Sequence, residues 1–392
     1  MRILVVSPYY AAHGGGSESA VRQLLLAFRE VAPEYRFSWA ATDCDTAAEL
    51  PGVINLPMAG GSRNAEFFGG APLWSWTALR ELASAVKAHD AVWLQDTLAP
   101  GAIAAEWLAH RASRPVIITQ HAGLLPQARA WRRRLTELAQ HQLALPMLRR
   151  AWRSVFTAAQ VKAEFAEAPG LWASPPLLVP NGVMHSVYKT VGAERRAMLR
   201  EKYALADKFT VLFVGRGTNA TAQLLLRELA RQLPEITFLF TGRDMVAPVN
   251  WGLPHCQTVP ERTGAARAEL YQAADLLVLP SYGEGLPLVV QEAAACGLPV
   301  LCAPDTAAAD PLLTPLLNTA PLNPFDPTSN APFWQEQLLA LRGNALLRHE
   351  QSEALSAFAR EHWSWQQAAR AYAALFAALP QPVVVPAAED AA

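Results

Sequence analysis

Short apolar runs alternate with longer amphipathic runs along most of the chain. The amphipathic runs, such as Glu18–Glu30, Ala78–Ala88 and Glu269–Ala274, have helical periodicity, and the apolar runs have the length of buried strands. The predicted strands are Ile3–Ser7, Phe37–Ala41, Ala91–Gln95, Val116–Thr119, Val155–Ala158, Leu177–Pro180, Thr210–Val214, Thr237–Thr241, Leu276–Pro280 and Val300–Ala303. Strands separated by helices are typical of βαβ units, so the pattern predicts an α/β protein with parallel sheets.

The same strand–loop–helix design begins twice. Residues 2–28 read "RILVVSPYYAAHGGGSESAVRQLLLAF", and residues 209–233 read "FTVLFVGRGTNATAQLLLRELARQL". Each segment can open a Rossmann-like half that binds ligands at the carboxyl ends of its strands. The connection near Met184–Leu205 is polar and charged, so we place the boundary between an N-terminal domain, residues 1–187, and a C-terminal domain, residues 188–362.

The composition narrows the class of protein. The chain is 52% hydrophobic and 17% charged, which favours a packed globular protein, and its net charge of −1 gives no general attraction to nucleic acid. The four cysteines have no CxxC spacing, which favours reduced thiols in a cytoplasmic protein over disulfides or a zinc site. We expect neither a signal peptide nor a transmembrane helix, because no uncharged apolar run reaches about 18 residues.

Two loops that follow predicted strands are candidate anion sites. In "HGGGSE", residues 13–18, the glycines allow close approach of a ligand, and Ser17 is the expected N-cap of a helix whose first N–H groups would face an anion. In "FVGRG", residues 213–217, Arg216 can grip a diphosphate with its guanidinium. The alternatives are a loop without a ligand and a surface arginine.

Residues 280–297, "PSYGEGLPLVVQEAAACG", place two glutamates in an apolar segment. Glu284 falls in the turn after a strand, and Glu292 falls about two turns into a helix that is expected to start near Leu286, with Pro287 in its first turn. A buried carboxylate needs partners, and carboxylates suit the hydroxyls of a ribose or hexose. The alternative for Glu292 is an exposed helix residue.

This segment closely resembles the carboxylate signature of the retaining glycosyltransferases of sequence family four, the group 1 glycosyltransferases: a Glu, seven residues and a second Glu. The other landmarks occur in the family's order: "GGGSE", "ITQHAG", "VPNGV", "FVGR", "AELYQAADLLVLPS" and "HWSWQQAARAYAALF". The resemblance implies the GT-B fold, in which two Rossmann-like domains face each other across a cleft. It also implies a C-terminal helix, residues 363–380, that crosses back to the N-terminal domain. The Pro- and Ala-rich residues 381–392 that follow are expected to form a flexible tail.

The resemblance also implies roles at matching positions. Glu284 would contact hydroxyls of the donor sugar, His121 would lie beside the reacting carbon, and Glu292 would hold the ribose hydroxyls. The further donor-binding positions are Gly15, Gly16, Arg216, Thr221, Gly285, Leu286 and Leu288. For His121, a hydrogen-bonded histidine at a strand end is the alternative.

One of these positions departs from the family pattern. The family has a lysine five residues after the arginine, and this chain has Thr221 there. The difference matters because stabilisation of the leaving group in a metal-free site depends on such cations. Arg243 or Lys202 can compensate for the lysine, and a weak activity, an unusual donor or a non-catalytic role stay open.

Residues 127–156 form a basic, aromatic region. It contains Trp131, Arg132, Arg133, Arg134, Leu135, Leu138, Leu148, Arg149, Arg150, Trp152 and Arg153. An amphipathic helix of this composition can lie on an anionic bilayer, as relatives with lipid-linked acceptors do, or it can be a solvated helix face over the core.

These observations predict a glycosyltransferase that moves a sugar from a nucleotide-diphosphate sugar, UDP expected before GDP, to an acceptor hydroxyl with retention. The resemblance implies a role in cell-surface polysaccharide, lipopolysaccharide or glycolipid synthesis, on a carbohydrate or lipid-linked acceptor, in the cytoplasm or at the inner face of the membrane. We expect no metal: "DCD" at residues 43–45 has the DxD form but lies in the N-terminal half. The alternatives are a nucleotide-sugar epimerase of the same fold and a non-catalytic nucleotide-sugar-binding protein.

Overall fold

The computed structural model describes residues 1–47, 49–60, 72–123, 130–166, 170–205, 208–216, 220–243 and 247–380. The predicted tail, residues 381–392, and the first residues of the basic region, 127–129, lie outside this range.

Within the described residues, the strands form two parallel sheets, one in each half of the chain. The N-terminal strands are β1 (Arg2–Val6), β2 (Arg36–Thr42), β3 (Val53–Met58), β4 (Ala91–Gln95), β5 (Val116–Gln120), β6 (Arg153–Phe156) and β7 (Leu177–Leu178). The C-terminal strands are β8 (Thr210–Val214), β9 (Thr237–Thr241), β10 (Cys256–Val259), β11 (Leu276–Leu279), β12 (Val300–Cys302) and β13 (Asn318–Thr319). The predicted α/β class with parallel sheets is confirmed.

Helices connect the strands and cover the sheets. In the described part of the chain they are α1 (Gly16–Val31), α2 (Trp76–Ala88), α3 (Pro100–Arg111), α4 (Ala130–Ala139), α5 (Leu145–Arg150), α6 (Ala159–Ala166), α7 (Ala193–Lys202), α8 (Ala220–Gln232), α9 (Ala265–Ala273), α10 (Leu288–Ala295), α11 (Pro304–Ala307), α12 (Ala331–Gly343), α13 (Ala345–His362) and α14 (Trp365–Ala377).

The sheets have the strand orders β3-β2-β1-β4-β5-β6-β7 and β10-β9-β8-β11-β12-β13. In the first sheet Ile3 pairs with both Phe37 and Ala91, and in the second Val211 pairs with both Phe238 and Leu276. The strand order therefore reverses between β1 and β4 and again between β8 and β11.

Three strands were not predicted: β3, β10 and β13. Each lies at the edge of its sheet, and their side chains are mostly half-buried or exposed. Edge strands lack the continuous apolar run of a strand that is covered on both faces, which explains why the hydrophobic pattern missed them.

The C-terminal helix α14 packs on the N-terminal half of the molecule. Its Phe376 stacks on Phe28 of α1 with ring centroids 5.6 Å apart, and the hydroxyl groups of Tyr372 and Thr119 are 2.8 Å apart. The rings of Phe376 and Tyr372 are buried in the same apolar cluster as Trp93 of the central strand β4. The last described helix therefore completes the core beneath the first sheet.

Candidate donor-binding site between the two sheets

The candidate site lies where the strand order of each sheet reverses, at the carboxyl ends of the strands. In open parallel sheets this point leaves a crevice that is not covered by a helix connection. In the N-terminal half the loops there are residues 7–15 and 96–99. In the C-terminal half they contain Gly215 and Arg216 after β8 and residues 280–287 after β11.

The glycine loop of the N-terminal half leads directly into α1. Gly15 is the N-cap residue, and Gly14 has a left-handed φ of 78°. The expectation that Ser17 caps the helix is wrong: α1 begins at Gly16, and the hydroxyl of Ser17 instead donates to Oε2 of Glu18 at 3.1 Å. A side chain at Gly16 would meet no atom within 4 Å, so this glycine borders open space.

Glu18 was not among the predicted site residues, but it is the buried carboxylate of this loop. It is 5% exposed, and burial raises the pKa of its carboxyl to about 7. The hydrogen bond from Ser17 and the charge of Arg216 oppose that shift, while Asp96 adds to it. A glutamate at the third position of a helix, after a glycine loop, is the sequence signal that could have identified it.

Asp96 and His121 follow the neighbouring strands β4 and β5. Asp96 has a left-handed φ of 59°, which is strained for a residue with a side chain. Its Oδ1 accepts a hydrogen bond from the backbone N–H of His121 at 2.8 Å. The imidazole Nε2 of His121 lies 3.0 Å from Oε1 of Gln95, and burial lowers the pKa of the ring, so it is neutral near pH 7.

The loop of residues 280–287 approaches the N-terminal half closely. Gly285 has a φ of 66°, and a β-carbon there would lie 2.5 Å from the carbonyl oxygen of His121, so only glycine fits. The neighbouring Glu284 is exposed towards the cleft. Desolvation by the surrounding walls raises the pKa of its carboxyl, and the charge of Arg216 opposes the shift. The fold thus brings His121, Glu284 and Arg216 to one place.

Helix α10 starts later than the sequence suggested. It begins at Leu288, and Pro287 is its extended N-cap residue, not part of its first turn. The proline keeps the helix from starting as early as Leu286, because the residue before a proline is disfavoured in helical geometry. The backbone N–H groups of Leu288 and Val289 therefore belong to the first turn, where no helical acceptor is available. Leu286 is buried in the apolar core, and its prediction as a donor-binding position concerns its backbone N–H group.

Glu292 is buried and paired, so the alternative of an exposed helix residue is wrong. One of its carboxylate oxygens, Oε2, accepts a hydrogen bond from the hydroxyl of Tyr271 at 2.8 Å and lies 3.4 Å from Nη1 of Arg267. Burial raises the pKa of the hydroxyl of the nearby Tyr188, and the charge of Glu292 adds to the shift. Sequence reasoning did not assign Arg267 and Tyr271, although "AELYQAADLLVLPS" contains the tyrosine.

The position of the missing lysine is filled by a hydrogen-bonded threonine. The hydroxyl of Thr221 donates to the carbonyl of Pro324 at 3.3 Å. Of the two cations that can compensate, Arg243 lies at the glycine loop, where its Nη2 donates to the carbonyl of Ala12 at 3.0 Å. Lys202 instead binds Glu269 at 2.5 Å on the outer surface of α7.

In the part of the chain that the structure describes, no three His, Cys, Asp or Glu side chains are grouped to hold a metal ion. Within "DCD", Oδ2 of Asp45 lies 2.8 Å from Nδ1 of His13.

The basic region is not one continuous helix. Helix α4 passes through a π-helical segment, Gln140–Ala144, into α5, which ends at Arg150, and Arg153 already belongs to β6. Leu148 is buried in the core, and the guanidinium of Arg150 forms a two-point ion pair with Glu106. Among the side chains of this region that the structure describes, the exposed large apolar ones are Leu135, Leu138 and Leu143. Among the described helices, none combines the length and the apolar character that a bilayer span requires.

Comparison with known proteins finds a likeness to glycosyltransferases over part of the chain. Residues 208–314 match the family described as "Glycosyl transferases group 1". A 135-residue part of the chain is 30% identical to alpha-galactosylglucosyldiacylglycerol synthase of Streptococcus pneumoniae, a match that covers 31% of this chain and 36% of that protein. The resemblance to group 1 glycosyltransferases is thereby confirmed, although the matched part spans only about a third of this relative's length.

The solved structures extend the likeness in fold to nearly the whole chain. Sucrose-phosphate synthase of Thermosynechococcus elongatus superposes with a TM-score of 0.73 at 19% identity, over 97% of this chain and all of the other. HepE of Anabaena, solved in complex with UDP-glucose, gives a TM-score of 0.71 at 16% identity over the same shares. The protein therefore has the GT-B fold that the sequence predicted.

Proposed function

We propose that this protein transfers a sugar from a nucleotide-diphosphate sugar to an acceptor hydroxyl. The observation that carries the proposal is the meeting of Arg216 and Glu284, from the C-terminal sheet, with His121 and the glycine loop of the N-terminal sheet. A guanidinium suits a diphosphate, a carboxylate suits sugar hydroxyls, and the exposed first turns of α1 and α10 supply N–H donors for anionic oxygen.

The proposed reaction retains the anomeric configuration, as in the family that the sequence resembles. The acceptor oxygen bonds to the anomeric carbon on the face that the diphosphate leaves, the bond from that carbon to the phosphate oxygen breaks, and the acceptor's proton passes to the departing diphosphate. Arg216 and the loop amides stabilise the negative charge that develops there. Glu284 and His121 orient the sugar.

We propose UDP as the nucleotide, supported by the likeness in fold to HepE, which was solved with UDP-glucose bound. A thermal-shift panel of UDP-, GDP- and ADP-sugars tests this, because a bound donor raises the apparent unfolding temperature by mass action. We expect a rise with UDP-sugars. A rise with GDP-sugars alone refutes the nucleotide, and no rise with any member refutes the proposed function.

The missing lysine at Thr221 and the shared architecture keep two rivals open, and product analysis separates them. An epimerase converts the nucleotide-sugar without an acceptor, whereas a binding protein releases no nucleotide with any acceptor. A transferase releases nucleoside diphosphate in an acceptor-dependent manner. We also propose that no metal takes part: activity should persist with a chelator, and a loss that manganese restores would refute this.

We further propose a lipid-linked acceptor, reached from an anionic membrane. The exposed leucines of α4 and the π-helical segment support this, together with a relative whose name includes diacylglycerol. Co-sedimentation with phosphatidylglycerol vesicles should exceed that with phosphatidylcholine vesicles. Replacing Leu135 and Leu138 with Glu should abolish the difference, whereas replacing Leu346 of α13, which is even more exposed, should not. Equal sedimentation with both lipids contradicts the proposal.

A further inference from the structure

The carboxylate of Glu18 lies over the N-terminus of its own helix. A β-carbon at Gly15 would come within 2.0 Å of its Oε2, so the carboxylate fills the space beside the N-cap residue. The first backbone hydrogen bond of α1 runs from Ser19 N–H to the carbonyl of Gly15 at 3.1 Å. The preceding N–H groups of the helix have no helical acceptor, and Glu18 supplies a negative charge to them.

The charged and titratable groups that act on Glu18 come from three loops of the site. Tyr9 follows β1, Asp96 follows β4, and Arg216 follows β8 in the opposite domain. Of these, only Arg216 is a cation, and its charge also acts on Glu284 from the other side. The charge of Arg216 thus acts on two carboxylates at the place where the proposed function puts a diphosphate.

We propose that Glu18 controls donor binding through its proton: its carboxyl must be neutral when a nucleotide diphosphate binds between Arg216 and the N-terminus of α1. This inference rests on the proposed function. A bound diphosphate pairs with Arg216 and brings its own negative charge towards the buried carboxylate of Glu18. Because burial has already raised the pKa of Glu18 to about 7, taking up a proton is the least costly response near neutral pH.

The inference predicts a direction for the pH dependence. At low pH Glu18 is already neutral, and its carboxyl adds no pH dependence to donor affinity. Above the pKa of about 7, each bound donor takes up a proton, so affinity falls by up to about tenfold for each pH unit. His13 and His121 do not interfere, because burial lowers the pKa of both rings and they stay neutral through this range.

Calorimetry with UDP-glucose tests the inference, since its fully esterified diphosphate does not titrate near neutral pH. The dissociation constant of the wild-type protein should rise about tenfold or more between about pH 6.5 and about pH 8.5. Near pH 8.5 the binding heat should change with the ionisation enthalpy of the buffer by an amount that reports uptake of one proton. This measurement needs no variant, so it does not depend on whether a variant folds.

Glu18→Gln removes the charge and keeps an oxygen that can accept from Ser17. We expect its dissociation constant to be independent of pH and about tenfold below that of the wild type near pH 8.5. The control is Glu34→Gln, an exposed glutamate just beyond the far end of α1, which should keep the wild-type dependence. Wild-type binding without proton uptake, or an unchanged pH dependence in Glu18→Gln, refutes the inference alone. Absence of UDP-glucose binding at both pH values, with Glu18→Gln also failing to bind, refutes the UDP donor and this inference together.

Discussion

Glu292 obtains two of its side-chain partners from a single helix. Arg267 and Tyr271 lie four residues apart on α9, so they share one face of that helix and reach the same carboxylate oxygen. Burial alone would lower the pKa of Arg267, but the charges of Glu292, Tyr271 and Tyr188 together outweigh it and raise that pKa. The carboxylate keeps acceptor capacity for ribose hydroxyls, since an ionised carboxylate has about four lone-pair sites.

Removing this carboxylate should destabilise the protein. Glu292→Ala leaves the guanidinium of Arg267 largely buried without a countercharge, at a cost of about 3 kcal/mol in the free energy of unfolding. Urea denaturation measures the change. The double variant Glu292→Ala with Arg267→Met should recover part of it, and a single variant as stable as the wild type would contradict the pairing. Donor binding should weaken in the transferase and in both rival functions.

Glu18 should make the stability of the fold depend on pH. Its pKa is raised from 4.5 to about 7, so between these values the native state holds a proton that the unfolded chain releases. The contribution is therefore present below pH 4.5 and is lost as the pH rises to about 7, by about 3 kcal/mol in total.

The difference between Glu18→Gln and the wild type isolates this contribution. Urea midpoints at several pH values should show the variant gaining stability relative to the wild type as the pH rises through that window. Beyond pH 7 the difference should stay constant. Parallel curves for the two proteins at every pH would show that burial does not perturb Glu18.

At the scale of elements, helix α14 contributes to a core that is assembled from the two ends of the chain. Phe376 is fully buried and contacts Phe28 of α1 and Phe37 of β2, with ring centroids 5.6 and 6.2 Å apart. The hydroxyl of Tyr35 also donates to the carbonyl of Ala373, 338 positions away in the sequence, at 3.1 Å. The stability of the first sheet is therefore tied to a segment at the far end of the described chain.

We expect Phe376→Ala to lower the free energy of unfolding by about 3 to 5 kcal/mol, because it removes a fully buried ring and leaves a cavity. The exposed Arg370 on the same helix is the control: Arg370→Ala should change the stability by less than about 0.5 kcal/mol. Chemical denaturation of both variants checks this. Similar losses of stability in the two variants would contradict a specific contribution of the buried ring of Phe376.

Across the whole molecule, the two halves are joined by contacts at both the site and its flanks. Arg243 donates to Ala12, the backbone N–H of Ala159 donates to the carbonyl of Ala309 at 2.7 Å, and the amide of Gln291 donates to the carbonyl of Asn181 at 2.7 Å. The glycine loop is thus held against a cation of the opposite domain even though the family's lysine is replaced by Thr221.

Arg243 and Lys202 provide a matched test of which cation compensates for that lysine. Arg243→Ala should weaken UDP-glucose binding by about tenfold, because a charge and a hydrogen bond at the glycine loop are both lost. Lys202→Ala should leave binding unchanged, since this lysine binds Glu269 on the outer surface. Calorimetry at one pH compares them, and equal dissociation constants for the two variants would exclude a role for Arg243.

The sequence by itself determined the α/β class, the two strand–loop–helix restarts, the central strands of both sheets and the turn position of Glu284. These features are local: a buried parallel strand is a continuous apolar run, and a glycine turn is recognisable from its residues. The family resemblance added the expected roles.

Only the tertiary structure decided which charged groups are buried and what faces them. Asp96 and Arg216, which act on the buried Glu18, follow other strands of the fold. Glu292 is paired with side chains of α9. Arg243, and not Lys202, lies at the glycine loop. Desolvation and Coulomb interactions depend on distances between groups that are remote in sequence, so no local pattern encodes them. The edge strands β3, β10 and β13 could not be predicted from the sequence pattern either, because they are defined by pairing with a neighbouring strand and not by an apolar run.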